Sequence, residues 1–144
     1  MVVDQEGKIC QHAGFFQEKL LLVDFEIGSA NTVVSHADFT LPNEEERVYE
    51  ALVTGVRDYV GKNNFPGVLI GVSGGIDSAL TLTVAVDALG KEKVHAVMLP
   101  SRYTSDISME DGLQLIKNLQ VTQDVISIEP AFESFLQSLE PALG

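Results

Sequence analysis

The sequence has few basic residues and almost no cysteine, and each shortage excludes a class of protein. It carries 9 Lys and Arg against 21 Asp and Glu, a formal net charge of -12. A surface of that sign repels the phosphate backbone of nucleic acids. The single cysteine, Cys10, cannot form an internal disulfide, which is typical of a reducing compartment. We therefore expect no nucleic-acid partner and a cytoplasmic protein.

Long apolar runs are also missing. The longest, such as Leu20 to Val23 and Val68 to Val72, fall far short of the roughly 20 residues that cross a bilayer as a helix. The N-terminal segment MVVDQEGKIC has acidic residues before its first lysine and does not form a secretory signal. With 144 residues, 45% of them hydrophobic, the composition is that of a soluble globular domain. No membrane association is expected.

The N-terminal part carries a pattern of short strands. Met1 to Val3 and Lys8 to Cys10 predict two extended pieces around a glycine-containing turn, and Leu20 to Phe25 predicts another strand. From 25 to 39 the mixture of Gly, Ser, Asn and Asp indicates an irregular connection. Because this segment has no core of its own, we place a domain boundary near residue 40.

The remaining residues, 41–144, alternate between helices and strands. Asn43 and Glu46 have the spacing of a capping box before an amphipathic helix that Gly61 ends. Strands are predicted at Val68 to Val72, Val94 to Leu99 and Val125 to Ile128. Helices are predicted at Ile76 to Leu89 and at Pro130 to Leu139, and a third helix begins at a second capping box, Ser108 to Asp111. Such alternation produces right-handed βαβ units and a buried parallel sheet. The predicted fold class is α/β, a Rossmann-like parallel sheet preceded by a short β tail.

The segment with recognisable chemistry is Gly71, Val72, Ser73, Gly74, Gly75, Ile76, Asp77 and Ser78, which follows the first buried strand and opens the next helix. Ligands bind at that edge of a parallel sheet. Gly74 and Gly75 let the backbone turn and approach an anion, and the helix start offers unpaired N–H groups. The hydroxyls of Ser73 and Ser78 add donors to phosphate oxygens. Asp77 repels a bare polyphosphate, so we interpret it as a Mg²⁺ ligand.

Other interpretations of this loop imply different chemistry. A nucleoside-triphosphatase P-loop requires a lysine where Asp77 stands, and a G-x-G-x-x-G dinucleotide fingerprint is absent. A nucleophile elbow stays open because residues 71–75 fit G-x-S-x-G; it would make Ser73 the nucleophile, with His95 the only histidine later in the chain. A glycine-rich turn without a ligand also stays open, since Ser and Asp cap helices for stability alone.

The loop resembles the SGGxDS motif of the PP-loop ATP pyrophosphatases, which cleave ATP between its α and β phosphates. Residues 94–105, 108–111 and 124–132 are further similar to the synthetase domain of bacterial glutamine-dependent NAD synthetases. VVDQEGKI and LLLVDFE resemble the closing strands and linker of the nitrilase-like glutaminase domain of that family. The resemblance implies a sheet of the adenine nucleotide alpha hydrolase type in residues 41–144, and a tail from the nitrilase-like domain in residues 1–40.

The resemblance also implies a reaction: ATP-dependent amidation of deamido-NAD to NAD through an acyl-adenylate, with Mg²⁺ and with ammonia from glutamine. By resemblance, Gly71 to Ser78 bind ATP and Asp77 holds the metal. Met98 and the neighbouring backbone at the end of the second strand lie near the adenine, and Arg102 reaches a phosphate or the dinucleotide; no catalytic side chain is assigned. The family's glutaminase Cys, Glu and Lys and most deamido-NAD contacts fall outside these residues. We therefore expect the chain to be inactive alone, the full-length enzyme to be a homo-oligomer, and Cys10 to be a small strand residue.

Two other functions stay open at this point. Another PP-loop enzyme, GMP synthetase-like or tRNA-modifying, shares the loop, although the acidic composition disfavours tRNA. A non-catalytic nucleotide-binding module would keep the loop and lack the rest of the site. The fold type does not decide between them, because function depends on the site.

Overall fold

The computed structural model describes residues 1–26, 32–33 and 40–143, with residues 32–33 described by their backbone alone. The chain forms two compact units, Met1–Ala51 and Leu52–Gly144. The division falls inside the first helix, which spans Glu44–Lys62. The domain boundary near residue 40 stays a prediction.

The first unit begins with an antiparallel pair, β1 (Val2–Val3) and β2 (Ile9–Gln11). The side chain of Asp4 stabilises the turn between them, since its Oδ1 accepts from the backbone N–H groups of Glu6 and Lys8 at 2.9 and 2.8 Å. The two predicted extended pieces around a turn are therefore confirmed.

A second antiparallel pair joins β3 (Phe25–Glu26) to β4 (Thr32–Val33). The predicted strand from Leu20 to Phe25 is wrong except at its last residue, because residues 20–24 form no regular structure. Leu20 is 87% exposed, so the run of leucines lacks a buried face to pack against. Most of the predicted irregular connection, 25 to 39, lies outside the described residues.

Helix α1 (Glu44–Lys62) starts as predicted. The backbone N–H of Glu46 donates to Asn43 Oδ1 at 2.7 Å, which is the N-cap bond that the sequence indicated. The end was predicted one residue too early, because the helix continues through Gly61. The residue that turns the chain is Asn64, with φ of 55°; asparagine tolerates this left-handed conformation better than most residues.

The second unit is built on a parallel sheet, which confirms the α/β prediction. Its strands are β5 (Val68–Gly71), β6 (Val94–Met98) and β7 (Thr122–Val125), in the spatial order β5-β6-β7. Its further helices are α2 (Ile76–Leu89), α3 (Asp106–Leu119) and α4 (Glu129–Leu143), and a 3₁₀ turn spans Lys91–Lys93. No helix of the described residues is long and apolar enough to cross a membrane.

The core lies on one face of this sheet. Alternate side chains of the central strand, Val94, Ala96 and Met98, are at most 2% exposed, as the period of a strand requires. They pack with the buried faces of α2 and α3; the cluster comprises Val72, Leu82, Ala85, Val94, Ala96, Met98, Ile116 and Val121. The packed core therefore supports the carboxyl end of β5 and β6, where the predicted site lies.

Strand β7 corrects the sequence prediction, which placed it at Val125 to Ile128. All four residues of the actual strand are exposed, so they carry no apolar pattern. The apolar run after it still follows β6, because Ile126 N–H donates to Met98 O at 2.9 Å and Ile128 N–H to Pro100 O at 3.1 Å. The prediction thus identified the continuation of the strand.

Helix α3 begins three residues earlier than the second capping box predicted. Ser105 is the N-cap, and its Oγ accepts from the backbone N–H of Ser108 at 3.2 Å. Ser108 is therefore inside the first turn of α3, and the predicted cap is wrong. Helix α4 is also longer than predicted, and reaches Leu143 with Pro141 in its last turn.

Candidate functional site

The glycine- and serine-rich loop connects β5 to α2 and is braced by its own two serines. The Oγ atoms of Ser73 and Ser78 lie 3.1 Å apart, and the backbone N–H of Ser73 donates to Ser78 Oγ at 3.2 Å. Ser78 Oγ also donates to Gly75 O at 2.9 Å. Since a hydroxyl carries one hydrogen, Ser73 is then the donor in the serine pair. Both hydroxyl hydrogens are used inside the loop, and so are the backbone N–H groups of Ser73 and of Gly75, which donates to Ser73 Oγ at 3.3 Å. The donors left for an anion are the N–H groups that follow, in the first turn of α2.

Gly74 fits this loop because it lacks a side chain. Its φ is 79°, in the left-handed region that disfavours other residues. A Cβ at this position would lie 2.2 Å from the backbone oxygen of Ser108 and 2.7 Å from its Cα. The loop therefore packs directly on the first turn of α3, and that contact fixes its position.

The start of α2 supplies the donors that the serines do not. Gly75 is the N-cap residue and makes no side-chain cap, while the first N–H groups of an α-helix have no partners within the helix. The positive end of the helix dipole adds attraction for an anion. Ile76, in the first turn, is 81% exposed, so the end of the helix is accessible.

Asp77 is exposed in the same turn, and its backbone oxygen accepts from Thr81 Oγ1 at 2.8 Å. No three His, Cys, Asp or Glu side chains come together as a metal site within the described ranges. Mg²⁺ commonly binds through one or two carboxylates together with phosphate oxygens and water. A single exposed carboxylate beside a helix N-terminus fits that donor set, in which a bound polyphosphate supplies further ligands.

A cavity of about 350 Å³ opens at the carboxyl ends of β5 and β6. Its walls come from the two strand ends, from the connection that follows β6, and from α3: Gly71, Val72, Ser73, Val97, Met98, Leu99, Pro100, Thr104 and Met109. Val72 joins the sheet to the cavity, since its N–H donates to Val97 O at 2.9 Å. The structure therefore brings the start of the predicted loop and the predicted Met98 to one concave site.

Met98 is 2% exposed and is held by a close approach from α3. A Cβ on Gly112 would lie 2.6 Å from Met98 Cε and 3.4 Å from Val72 Cγ1. Gly112 thus leaves room for the thioether between strand and helix. The resulting wall is apolar, which suits the face of a planar base.

Sequence reasoning missed several residues of this wall. Pro100, Thr104 and Met109 line the cavity without having been predicted. The available signal was their position, because the connection after a parallel strand lies beside the site at the carboxyl edge of the sheet.

Arg102 lies in the same connection but has other partners. Its guanidinium donates to Glu129 and to Glu133 Oε1, the latter at 2.9 Å, and lies 5.6 Å from the ring centroid of Phe132. These contacts hold the pKa of Glu129 below its ordinary value of 4.5, and Glu129 raises the pKa of Arg102. Of the residues that the structure describes, those lining the cavity do not include Arg102. Its role in nucleotide binding stays a prediction.

The contacts of His95 argue against the nucleophile elbow. Its Nδ1 is 3.0 Å from Thr122 Oγ1 and its Nε2 is 2.8 Å from Asp124 Oδ2. Both ring nitrogens therefore bond toward β7, and neither is left as a base for Ser73.

Cys10 occupies a structural position. It lies in β2, is 1% exposed, and its Sγ donates to Lys8 O at 3.6 Å. This burial confirms the prediction of a small strand residue and leaves the thiol without access to solvent.

Comparison with known proteins agrees with this geometry. The family model described as NAD synthase matches residues 48–143. The glutamine-dependent NAD(+) synthetase of Acinetobacter baylyi is 40% identical over 143 residues, which are 99% of this chain and 26% of that protein. The structure of the glutamine-dependent NAD+ synthetase from Acinetobacter baumannii in complex with ADP is similar with a TM-score of 0.89 and 42% identity, over 97% of this chain and 26% of that one.

A further similar structure is that of an enzyme with a different name. The NMN synthetase from Francisella tularensis matches with a TM-score of 0.65 and 33% identity, over 72% of this chain and 42% of that one. The chain thus spans about a quarter of the length of the curated relative from A. baylyi, and less than half of this second protein.

Proposed function

This chain belongs to the NAD synthase family, and we propose that its Gly71 to Ser78 loop binds the phosphates of ATP during the amidation of deamido-NAD to NAD. The observation that carries the proposal is the loop itself, which opens α2 at the carboxyl end of β5 beside the cavity that Met98 lines. The ADP in the similar A. baumannii structure supports an adenine nucleotide as the ligand.

In the proposed reaction the carboxylate of deamido-NAD attacks the α phosphate of ATP and pyrophosphate leaves. Ammonia then displaces AMP from the acyl-adenylate and forms the amide. The chain's contribution is positioning and charge stabilisation. The first-turn N–H groups of α2 hold the pyrophosphate and Met98 contacts the adenine. Asp77 would hold Mg²⁺, and the ion would supply neutralisation of phosphate charge.

The proposal extends to the parts that surround this chain in a longer protein. The likeness to the A. baylyi relative covers 99% of the chain, whereas the NAD synthase model begins at residue 48. This difference supports our assignment of residues 1–40 to the end of a nitrilase-like glutaminase domain that releases ammonia from glutamine. A homo-oligomer in the cytoplasm is part of the same proposal.

The chain is expected to gain stability from ATP with Mg²⁺, and Asp77→Asn to lose most of that gain. A ligand at about 100 times its dissociation constant raises the free energy of unfolding by roughly 2.7 kcal/mol. Removing the carboxylate removes one metal ligand and leaves the phosphate charge unneutralised. Thermal unfolding with and without ATP and Mg²⁺ measures the difference, and EDTA should reduce the wild-type shift in the same way.

Asp87→Asn is the matched control, because it makes the same charge change in the last turn of the same helix. Its shift with ATP should equal that of the wild type. Equal shifts in all three proteins would remove Asp77 from the metal site, and the absence of any shift in the cooperatively folding wild type would contradict nucleotide binding.

A chimera tests the chemical step. In the A. baylyi relative, this chain replaces the 143 matched residues, and NAD formation is followed from deamido-NAD, ATP and ammonium. We expect NAD to form, and Asp77→Asn to lower the rate by about 100-fold, the size of a lost electrostatic contact. The 144-residue chain alone should bind ATP without forming NAD, because the proposed deamido-NAD contacts lie outside it.

The same assay separates the alternatives. A chimera that binds ATP and never releases AMP or pyrophosphate would favour a non-catalytic nucleotide-binding module. Turnover of nicotinic acid mononucleotide in preference to deamido-NAD would favour an NMN synthetase, as the F. tularensis protein is named. The match to the NAD synthase family model argues against the GMP synthetase-like and tRNA-modifying alternatives.

A further inference from the structure

The connection between β6 and α3, residues 99–105, forms one wall of the cavity and is held from outside. Leu99, Pro100 and Thr104 line the cavity. A turn inside the connection pairs Ser101 with Thr104, through Ser101 N–H to Thr104 Oγ1 and Thr104 N–H to Ser101 O, both at 3.0 Å. This wall of the cavity is therefore an ordered turn. The shape of the cavity depends on the contacts that hold this turn in place.

Glu129 is the anchor on the α4 side. Its Oε2 accepts from the backbone N–H of Arg102 at 2.9 Å, and its Oε1 accepts from the guanidinium of the same residue. The aromatic ring of Phe132 lies beneath the guanidinium and meets the ring of Tyr103 edge-on, with centroids 5.9 Å apart. One carboxylate thus fixes both the backbone and the side chain at the tip of the connection.

The charge of Arg102 is already satisfied by two carboxylates. Its guanidinium donates to Glu133 Oε1 at 2.9 Å and also to Glu129 Oε1. If the guanidinium of Arg102 turned toward a polyphosphate, Glu129 and Glu133 would both lose their cation. Two uncompensated negative charges near an anion are unfavourable. The geometry opposes Arg102 as a direct phosphate ligand.

We propose that Glu129 is a positioning residue, which acts through Arg102 to hold residues 99–105 as a wall of the adenine nucleotide cavity. The inference rests on the proposed function, since it names what shapes that same site. We call the bonds between Glu129 and Arg102 the clasp. Exposed ion pairs add little to global stability, so the clasp orders residues 99–105 and contributes little to the free energy of unfolding.

The first test measures the wall without nucleotide. Amide hydrogen exchange by NMR should show protection at Arg102 and Thr104 that falls at least about fivefold in Glu129→Ala, because the backbone bond is lost and the turn opens. Glu133→Ala removes a carboxylate from the same arginine but keeps the backbone bond, so exchange there should stay within about twofold of the wild type. The thermal midpoints of both variants should stay close to the wild type.

The second test measures ATP affinity in the presence of Mg²⁺ by titration calorimetry. Glu129→Ala should weaken binding by about threefold to tenfold, and Arg102→Ala by less, because its backbone N–H still reaches Glu129. If Arg102 instead binds phosphate directly, the order reverses: freeing it in Glu129→Ala strengthens binding, and Arg102→Ala becomes the most damaging change.

Either reversed affinities or unchanged exchange in Glu129→Ala would overturn the proposal. Loss of protection in Glu129→Ala together with no ATP binding by the wild type would have a different meaning. The clasp would then stand as the anchor of residues 99–105, and the proposed nucleotide function would fail. The exchange measurement therefore separates the two failures.

Discussion

Gly74→Ala is expected to weaken ATP binding by about 100-fold, the cost of displacing a binding element by roughly an ångström. The new Cβ would stand 2.2 Å from the backbone oxygen of Ser108, where no rotation of a side chain can relieve the contact. Either the loop withdraws from α3 or the first turn of α3 moves, and the cavity lies between these elements. Titration calorimetry with ATP and Mg²⁺ measures the loss.

Gly90→Ala is the control that separates the clash from backbone strain. Gly90 has φ of 81°, nearly that of Gly74, but a Cβ there meets no atom within 4 Å. Its substitution should cost about 1–3 kcal/mol of stability through strain alone and leave ATP affinity unchanged. Wild-type affinity in a folded Gly74→Ala protein would show that the contact with α3 does not position the nucleotide.

The parallel sheet and its helices could be predicted because their signals are local. Helix α2 matches its predicted bounds, Ile76 to Leu89, since a glycine precedes it and another follows it. Strand β6 is buried on one face and β5 is half-buried there, and both carry an apolar run. The loop between β5 and α2 was predictable for the same reason: its glycines, serines and strand-helix context are adjacent in the sequence.

The wrong predictions concern features that are determined by contacts between residues distant in sequence. Strand β7 has no buried side chain, so it is defined by its hydrogen bonds to β6, which no pattern within the strand reports. In the candidate site, the partners of Arg102 could not be predicted for the same reason. Its carboxylate partners come 27 and 31 residues later, and an exposed arginine in a loop gives no indication of whether a glutamate or a phosphate will pair with it.

The site also depends on a core that the sequence indicated only in part. The sequence predicted a helix at α2, but that helix is apolar nearly all round, so its buried face is set by the sheet. The close approach of Gly112 to Met98 is of the same kind, because it joins two elements distant in sequence. The shape of the cavity therefore follows from packing, while the chemistry of the loop follows from local sequence.

Leu82→Ala is expected to destabilise the chain by about 3–5 kcal/mol, the range for removing a large buried aliphatic side chain. Leu82 is 0% exposed at the centre of α2 and belongs to the core cluster between this helix and the sheet. Its removal costs the transfer free energy of the lost methyl and methylene groups and leaves a cavity. Because single domains have only about 5–15 kcal/mol of stability, the urea midpoint should fall sharply with an unchanged m-value.

Leu80→Ala makes the same chemical change two residues earlier on the same helix, where the side chain is 49% exposed. Its helix propensity change is identical, so the difference between the two variants isolates burial. We expect Leu80→Ala to cost less than half as much, and equal losses would contradict the packing of α2 on the sheet. Since α2 begins at the proposed phosphate-binding loop, Leu82→Ala should also weaken ATP binding at temperatures where part of the population has unfolded, whereas Leu80→Ala should not.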